Sequence, residues 1–186
     1  MTRGASRSRG GSTVETEGTY ILPTLMGSRE SGPSGDGINS STGTRVDADT
    51  FIFGTSGDDV LLGTAADEVF VGYDGNDTLT GGAGDDTFYF ENLGEGTDVI
   101  TDFGVGADQI RVYQPNFSTD LELGVLAIEN FALGSSATTA DHRFIYDQAT
   151  GALYFDADGV GGADQVQIAT LSNNVSLSNT DIMVGL

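Results

Sequence analysis

Cysteine and lysine are absent from the 186-residue chain, and histidine occurs once, as His142. Without cysteine there is no disulfide framework, no thiolate zinc site and no cysteine nucleophile. A single histidine argues against a metal centre or proton relay built from several imidazoles. No apolar run approaches the roughly 18 residues of a membrane-spanning helix, and the N-terminus lacks the apolar stretch of a secretory signal peptide.

Basic residues are scarce and unevenly placed. Residues 46–186 contain 24 of the 28 acidic residues but only two of the seven arginines, Arg111 and Arg143, so their net charge is −22. A surface of this sign repels phosphate backbones and anionic lipid headgroups. The charge therefore argues against nucleic-acid binding and against attachment to an anionic membrane.

Residues 1–45 hold the other five arginines and are rich in glycine, serine and threonine. A segment with so few apolar groups buries too little surface to offset its chain entropy. We expect it to be a disordered linker or the end of a truncated upstream region.

Glycine is abundant, with 28 residues, about twice its average share. Much of it belongs to a nine-residue repeat, which reads GTSGDDVLL, GTAADEVFV, GYDGNDTLT and GGAGDDTFY from Gly54 onward. The sixth position of each unit is acidic: Asp59, Glu68, Asp77, Asp86. The eighth position is large and apolar: Leu61, Phe70, Leu79, Phe88. Four units in register predict a repeat architecture, and this signal outweighs local propensity.

Each unit divides into a turn and a short strand. Its first six residues are turn formers, and its last three alternate around one apolar side chain. If successive strands reverse direction, two units complete one turn of a parallel coil. Leu61 then stacks on Leu79, and Phe70 stacks on Phe88, across a thin core.

The same stacking brings the turns of alternate units together, about 4.8 Å apart. Asp59 then lies near Asp77, and Glu68 lies near Asp86. Because these carboxylates repel one another and have few basic partners, we expect a cation between them. Carboxylate and carbonyl oxygens in a flexible arrangement favour calcium over magnesium. The fifth positions add further acidic charge: Asp58, Asp67, Asp85.

The units resemble GGxGxDxUx, the nonapeptide of the RTX (repeats-in-toxin, hemolysin-type) calcium-binding proteins, which form parallel β-rolls. The resemblance implies an all-β fold, with a parallel β-roll of nonapeptide repeats followed by a β-rich C-terminal cap. It also implies Ca2+ as the cofactor. The implied side-chain ligands are Asp59, Glu68, Asp77 and Asp86. The implied main-chain carbonyl ligands lie around Gly57, Gly75, Gly82 and Gly84.

The units also depart from that pattern. The second glycine is present only as Gly82, and the other units carry Thr55, Thr64 and Tyr73 there. The second unit has Ala66 in place of glycine and Glu68 in place of aspartate. We therefore expect the stack that contains Glu68 to bind calcium less well than the stack that contains Asp77.

Residues 96–112 look like the segment that follows the roll in RTX proteases and related exported proteins. This likeness implies that Asp98 is a further calcium ligand, with Asp102 and Asp108 as weaker candidates. Residues 144–171 resemble the strand-rich C-terminal region of such proteins, and their alternation around residues 149–151 predicts a hairpin.

The loop Asp156–Gly159 begins like a calcium-binding EF-hand loop. Its glycine comes two residues too early, however, and no helices flank it. We expect a plain turn.

The segment Asp181–Leu186 resembles the uncleaved C-terminal export signal of type I secretion substrates. The resemblance implies a secreted, extracellular protein with the type I secretion machinery as a partner. The predicted organisation is a linker at 1–45, an RTX calcium-binding β-roll at 46–103, and a C-terminal β region with the export signal at 104–186.

Catalytic motifs are missing from the sequence: it has no HExxH zinc helix and no GxSxG nucleophile elbow. His142 is interpreted as a surface residue. We expect no enzyme activity, but a secreted calcium-binding RTX module that folds on extracellular calcium after export. Two alternatives stay open. One is the C-terminal part of an exported hydrolase, a serralysin-like protease or lipase without its catalytic domain. The other is an adhesive or surface-layer component.

Overall fold

A computed structural model of the protein describes residues 38–39 and 50–186. Within these residues the fold is nearly all β, as predicted, with one short helix, α1 (Gln114–Phe117), and two short 3-10 turns. The predicted linker at 1–45 lies outside the described residues, except for the two residues that form the first strand. No helix in the described part of the chain is long and apolar enough to cross a membrane.

The strands of the repeat region and its continuation are short. They are β1 (Ile38–Asn39), β2 (Thr50–Phe53), β3 (Val60–Leu62), β4 (Glu68–Val71), β5 (Thr78–Thr80), β6 (Thr87–Phe90), β7 (Asp98–Ile100) and β8 (Gln109–Tyr113). The later strands are β9 (Gly124–Val125), β10 (Phe131–Leu133), β11 (Phe144–Asp147), β12 (Ala152–Phe155), β13 (Val166–Leu171) and β14 (Ile182–Gly185).

Successive strands of the repeats alternate between two sheets. The first sheet has the order β1-β3-β5-β7-β13-β12-β11-β10, and the second has the order β2-β4-β6-β8-β14-β9. Each repeat strand therefore pairs in parallel with the strand two units away. This is the predicted parallel β-roll, in which two nonapeptides make one coil.

The core lies between the two sheets and consists of one apolar column from each. In the first sheet, Leu61 pairs with Leu79 and Leu79 with Ile100. In the second sheet, Phe70 pairs with Phe88, and their rings stack with centroids 5.1 Å apart. All five side chains are buried. The predicted stacking is confirmed, because a nine-residue period returns the same side chain to the same wall every 18 residues.

Strands from the C-terminal region extend both sheets. β13 pairs in parallel with β7, and β14 pairs in parallel with β8. β11 and β12 form the predicted hairpin, whose turn is closed by Gly151 at φ +75°. β8 lies beyond the predicted domain boundary at 103/104 and is hydrogen-bonded to β6 on its other side. The division at that boundary remains a prediction.

Candidate metal centre

The turns of alternate units stack along the two edges of the roll. On the first edge, the backbone N–H of Asp59 donates to Asp77 Oδ1 at 2.9 Å, and the N–H of Asp77 donates to Asp98 Oδ1 at 3.1 Å. Each carboxylate thus accepts the amide of the acidic residue in the preceding coil. The predicted neighbours Asp59 and Asp77 lie together, and Asp98 continues their column.

The second edge repeats this arrangement. The N–H of Glu68 donates to Asp86 Oδ1 at 2.9 Å, and the N–H of Asp86 donates to Asp108 Oδ1 at 3.0 Å. Asp108, a weaker candidate from sequence, therefore occupies the same place on this edge as Asp98 does on the other. Asp102 lies elsewhere, since its two oxygens accept the amides of Gly81 and Gly82.

Among the described residues, two buried carboxylate oxygens of these columns have no donor. Asp77 Oδ2 and Asp86 Oδ2 are buried without a hydrogen-bond partner, and the residues themselves are 0% and 1% exposed. An unsatisfied buried acceptor costs about 1–3 kcal/mol, and more when it is charged. A cation bound to these oxygens would remove that cost, so the site suits a metal ion.

Gly72 borders the space in front of the Asp77 carboxylate. A Cβ atom added there would clash with Asp77 Oδ2 and would lie 3.3 Å from Asp98 Oδ2. Two carboxylate oxygens from neighbouring coils therefore face one small volume that only glycine leaves open. Gly81 stands in the same relation to Asp86 Oδ2 on the second edge.

Carbonyl oxygens are the other available ligands. In the described part of the chain, no three acidic or histidine side chains are grouped closely enough to hold a metal ion. A cation here would depend on main-chain carbonyls as well as carboxylates, which is a donor set suited to calcium. The carbonyls predicted from sequence lie in the stacked turns: a Cβ at Gly75 would lie 2.7 Å from the oxygen of Gly57.

Sequence reasoning missed two members of the fourth-position column. Gly96 and Gly106 have φ angles of +137° and +141°, and a Cβ on either would clash with the carbonyl of Gly75 or Gly84 in the coil before. Both precede an acid by two residues, as Gly57 precedes Asp59. That glycine-x-aspartate spacing was the available signal, but extra residues break the nine-residue period before it.

The fifth-position acids hold neighbouring coils together. The N–H of Asn76 donates to Asp58 Oδ1 at 2.8 Å. On the other edge, the N–H of Asp85 donates to Asp67 Oδ1 and the N–H of Ala107 donates to Asp85 Oδ1, both at 2.9 Å. Besides adding charge, these side chains form a second ladder outside the buried columns.

Burial makes the inner carboxylates hard to ionise. It raises the pKa of Asp77 and of Asp86 to about 6, and the pKa of Asp98 to about 7, from an ordinary 3.8. Hydrogen bonds from the backbone oppose the rise, and neighbouring carboxylates add to it. Positive charge close to these acids would favour their ionised form and lower these pKa values.

Residues 47–72 and 62–100 match the family model of the RTX calcium-binding nonapeptide repeat, described as four copies. Residues 47–100 are an RTX calcium-binding repeat region. No curated protein matches the chain. The RTX region contains both edges of carboxylates as far as Asp98, while Asp108 lies just beyond it.

Outside the RTX region, the Asp156–Gly159 loop satisfies its own acids. Asp156 Oδ1 accepts the amides of Asp158 at 3.1 Å and of Gly159 at 2.9 Å. The Asp158 carboxylate accepts the amides of Gly162 and Ala163. This is the geometry of a turn held by side-chain acceptors, as the sequence predicts for the loop.

Substitution of Gly72 tests the site directly. We expect Gly72→Ala to weaken calcium binding about tenfold, equivalent to about 1.4 kcal/mol, because the new methyl group displaces the Asp77 carboxylate. Gly162→Ala is the control, since a Cβ there meets no atom within 4 Å and the residue lies outside the RTX region. Calorimetric calcium titrations of both variants check this, and equal affinities would contradict the assigned site.

Proposed function

We propose that the RTX region is a calcium-dependent folding module of an exported protein. It remains open where calcium is scarce and folds into the β-roll when calcium enters the two carboxylate edges. The observation that carries this proposal is the pair of buried oxygens, Asp77 Oδ2 and Asp86 Oδ2, that have no hydrogen-bond partner among the described residues.

The carboxylate ligands of this module are Asp77, Asp86 and Asp98, with carbonyl oxygens around Gly57, Gly75, Gly82 and Gly84. Asp59 and Glu68, also predicted from sequence, lie on the same edges but accept hydrogen bonds from threonine. Ligands from stacked turns form a flexible oxygen shell, which suits calcium better than the rigid octahedron of magnesium. A calorimetric titration tests the proposal. Calcium should bind in the range of extracellular modules, about 10⁻⁴ to 10⁻³ M, and magnesium should bind much more weakly. Equal binding of the two ions would reject a calcium-selective site.

The shape of the core supports folding on binding. Each repeat strand has three or four residues and contributes one fully buried apolar side chain, such as Leu61 or Phe88. The four nonapeptides make only two coils, and β1, β2, β7 and β8 continue the roll at its two ends. Calcium and the C-terminal strands supply the rest of the free energy of folding.

We further propose that the type I secretion machinery exports the protein in an unfolded state. The export signal is the segment Asp181–Leu186. In the folded chain most of this segment is β14, where Ile182 and Val184 are buried between β8 and β9. The secretion machinery has access to a signal in that strand only before the chain folds. A chain that stays open in low calcium keeps it available.

Deletion of Ile182–Leu186 should therefore abolish export by a host with a type I exporter. Because the deletion also removes a strand from the second sheet, Ile110→Ala serves as the control. It damages the same sheet next to Ile182 but leaves the segment intact. Export, assayed as protein in the medium, should persist for Ile110→Ala. Undiminished export of the deleted chain would show that the export signal lies elsewhere.

A further inference from the structure

The first two nonapeptides form the first coil of the repeats, and the last two form the second coil. The two coils differ at the second position of the repeat unit. In the first coil it is threonine, Thr55 and Thr64, in ordinary backbone conformation. In the second coil it is Tyr73 at φ +67° and Gly82 at φ +99°. The change of residue is thus accompanied by a change of backbone conformation, and it affects how the acid of the same unit is satisfied.

In the first coil, threonine satisfies the acid. The N–H and the hydroxyl of Thr55 donate to Asp59 Oδ2 at 2.6 and 2.8 Å. The N–H of Thr64 donates to Glu68 Oε2 at 3.1 Å, and its hydroxyl donates to Glu68 Oε1. Each of these two carboxylates therefore already has two donors from its own turn.

In the second coil, these donors are missing from the turn. Gly82 has no hydroxyl and its amide donates to Asp102, so Asp86 Oδ2 is left without a donor. Tyr73 occupies a left-handed conformation that is uncommon for residues with a side chain. Such conformations persist mainly at functional sites, and here it accompanies the unpartnered Asp77 Oδ2.

We infer that Thr55 and Thr64 take the place of calcium in the first coil, so that calcium is confined to the second. One ion binds beside Asp77 and Asp98, and one binds beside Asp86. This inference rests on the proposed function and specifies where in the repeats it resides. At Asp59 Oδ2, or at either oxygen of Glu68, a cation must displace a threonine donor. At Asp77 Oδ2 or Asp86 Oδ2 it meets an oxygen that has no donor.

The two sites of the second coil are unequal. Beside Asp77, the Oδ2 atom of Asp98 faces the same space near Gly72. On the other edge, Asp108 Oδ2 accepts the amide of Gly104 at 2.7 Å and is not directed to an ion. The Asp77 site has two carboxylate oxygens available and the Asp86 site has one, so the first binds calcium more tightly.

Calorimetric counting of calcium ions in isosteric variants of the full chain tests the inference. Asp77→Asn should lower the number of bound ions by one, and Asp86→Asn should do the same. Asp59→Asn should leave the number of ions unchanged and the affinity within about twofold, which is less than 0.5 kcal/mol. Loss of an ion in Asp59→Asn would overturn the inference while the calcium-binding function stands. Absence of calcium binding in the parent chain would overturn both.

A gain of sites provides the second test, should an aspartate variant fail to fold. The double variant Thr55→Gly and Thr64→Gly gives the first coil the second-position residue of the fourth unit. It should bind more calcium ions than the parent and lose more β structure in chelator. The double variant Thr55→Ser and Thr64→Ser keeps both hydroxyls and should behave as the parent. An unchanged ion count in the glycine variant would overturn the inference.

Discussion

Transfer of the folded chain from millimolar calcium into excess chelator should abolish most of the β-sheet signal in its circular dichroism. The expected cause is the charge of the two edges, since residues 46–186 carry a net charge of −22. Without calcium, the buried Asp77 and Asp86 carboxylates keep an oxygen with no partner. Their repulsion then acts against a roll whose repeat strands each contribute only one or two buried apolar side chains.

The contribution of calcium binding to the stability of the folded state follows from ligand linkage. An ion that binds only the folded state, at ten times its dissociation constant, stabilises that state by about 1.4 kcal/mol. Two such ions contribute about 3 kcal/mol, which is a large fraction of the 5–15 kcal/mol stability of an ordinary domain. We therefore expect the folded fraction to follow calcium concentration, with a midpoint that rises in weakened variants such as Gly72→Ala.

The control for this experiment is sodium chloride at the ionic strength of the calcium buffer. Salt screens surface repulsion but does not coordinate the oxygens of Asp77 and Asp86. It should restore little β structure, and magnesium should restore less than calcium. An identical β-rich spectrum with calcium and with chelator would exclude calcium-dependent folding.

Acid should partly replace calcium in folding the chain. The pKa of Asp98 is raised by burial to about 7, and the pKa values of Asp77 and Asp86 to about 6. In the unfolded chain these groups titrate near 3.8, so between about 4 and 7 the folded state binds more protons than the unfolded state. Stability without calcium therefore falls as pH rises through this window and stays low above pH 7.

The pH dependence of calcium binding has the opposite sign to that of the calcium-free stability. Protons and calcium compete for the same oxygens, so calcium affinity should fall as pH is lowered from 8 towards 5. Circular dichroism in calcium-depleted buffer should show β structure returning as pH is lowered over the same range. Asp98→Asn is the matched variant: it should raise the calcium-free stability at pH 8 and flatten its pH dependence. A calcium-free stability that rises with pH would contradict the assigned burial of these acids.

The sequence by itself determined the coil. A period of nine with a large apolar residue at the eighth position of every unit buries those residues together when alternate units stack. The pairs Leu61–Leu79 and Phe70–Phe88 follow from that stacking. The contacts between Asp59 and Asp77 and between Glu68 and Asp86 follow as well, because stacked units bring identical positions together.

Only the tertiary structure decided how the columns continue. Asp98 and Asp108 extend them after separations of 21 and 22 residues, where the repeats keep 18. Extra residues break the nine-residue period there, although the turn can bulge outward while its strands stay in register. The sequence also did not predict that Asp59 Oδ2 has hydrogen-bond donors whereas Asp77 Oδ2 has none. This difference depends on the backbone angles of the second position.

The positions of β13 and β14 were also decided by tertiary structure. β13 joins the first sheet beside β7, and β14 lies between β8 and β9 in the second. Such pairings join segments about 70 residues apart along the chain, as in the hydrogen bond from Thr97 to Gln167. A local repeat carries no information about which distant strand will cover its open edge. That choice is made by the shape and burial of the assembled core, where Ile182 meets Ile110.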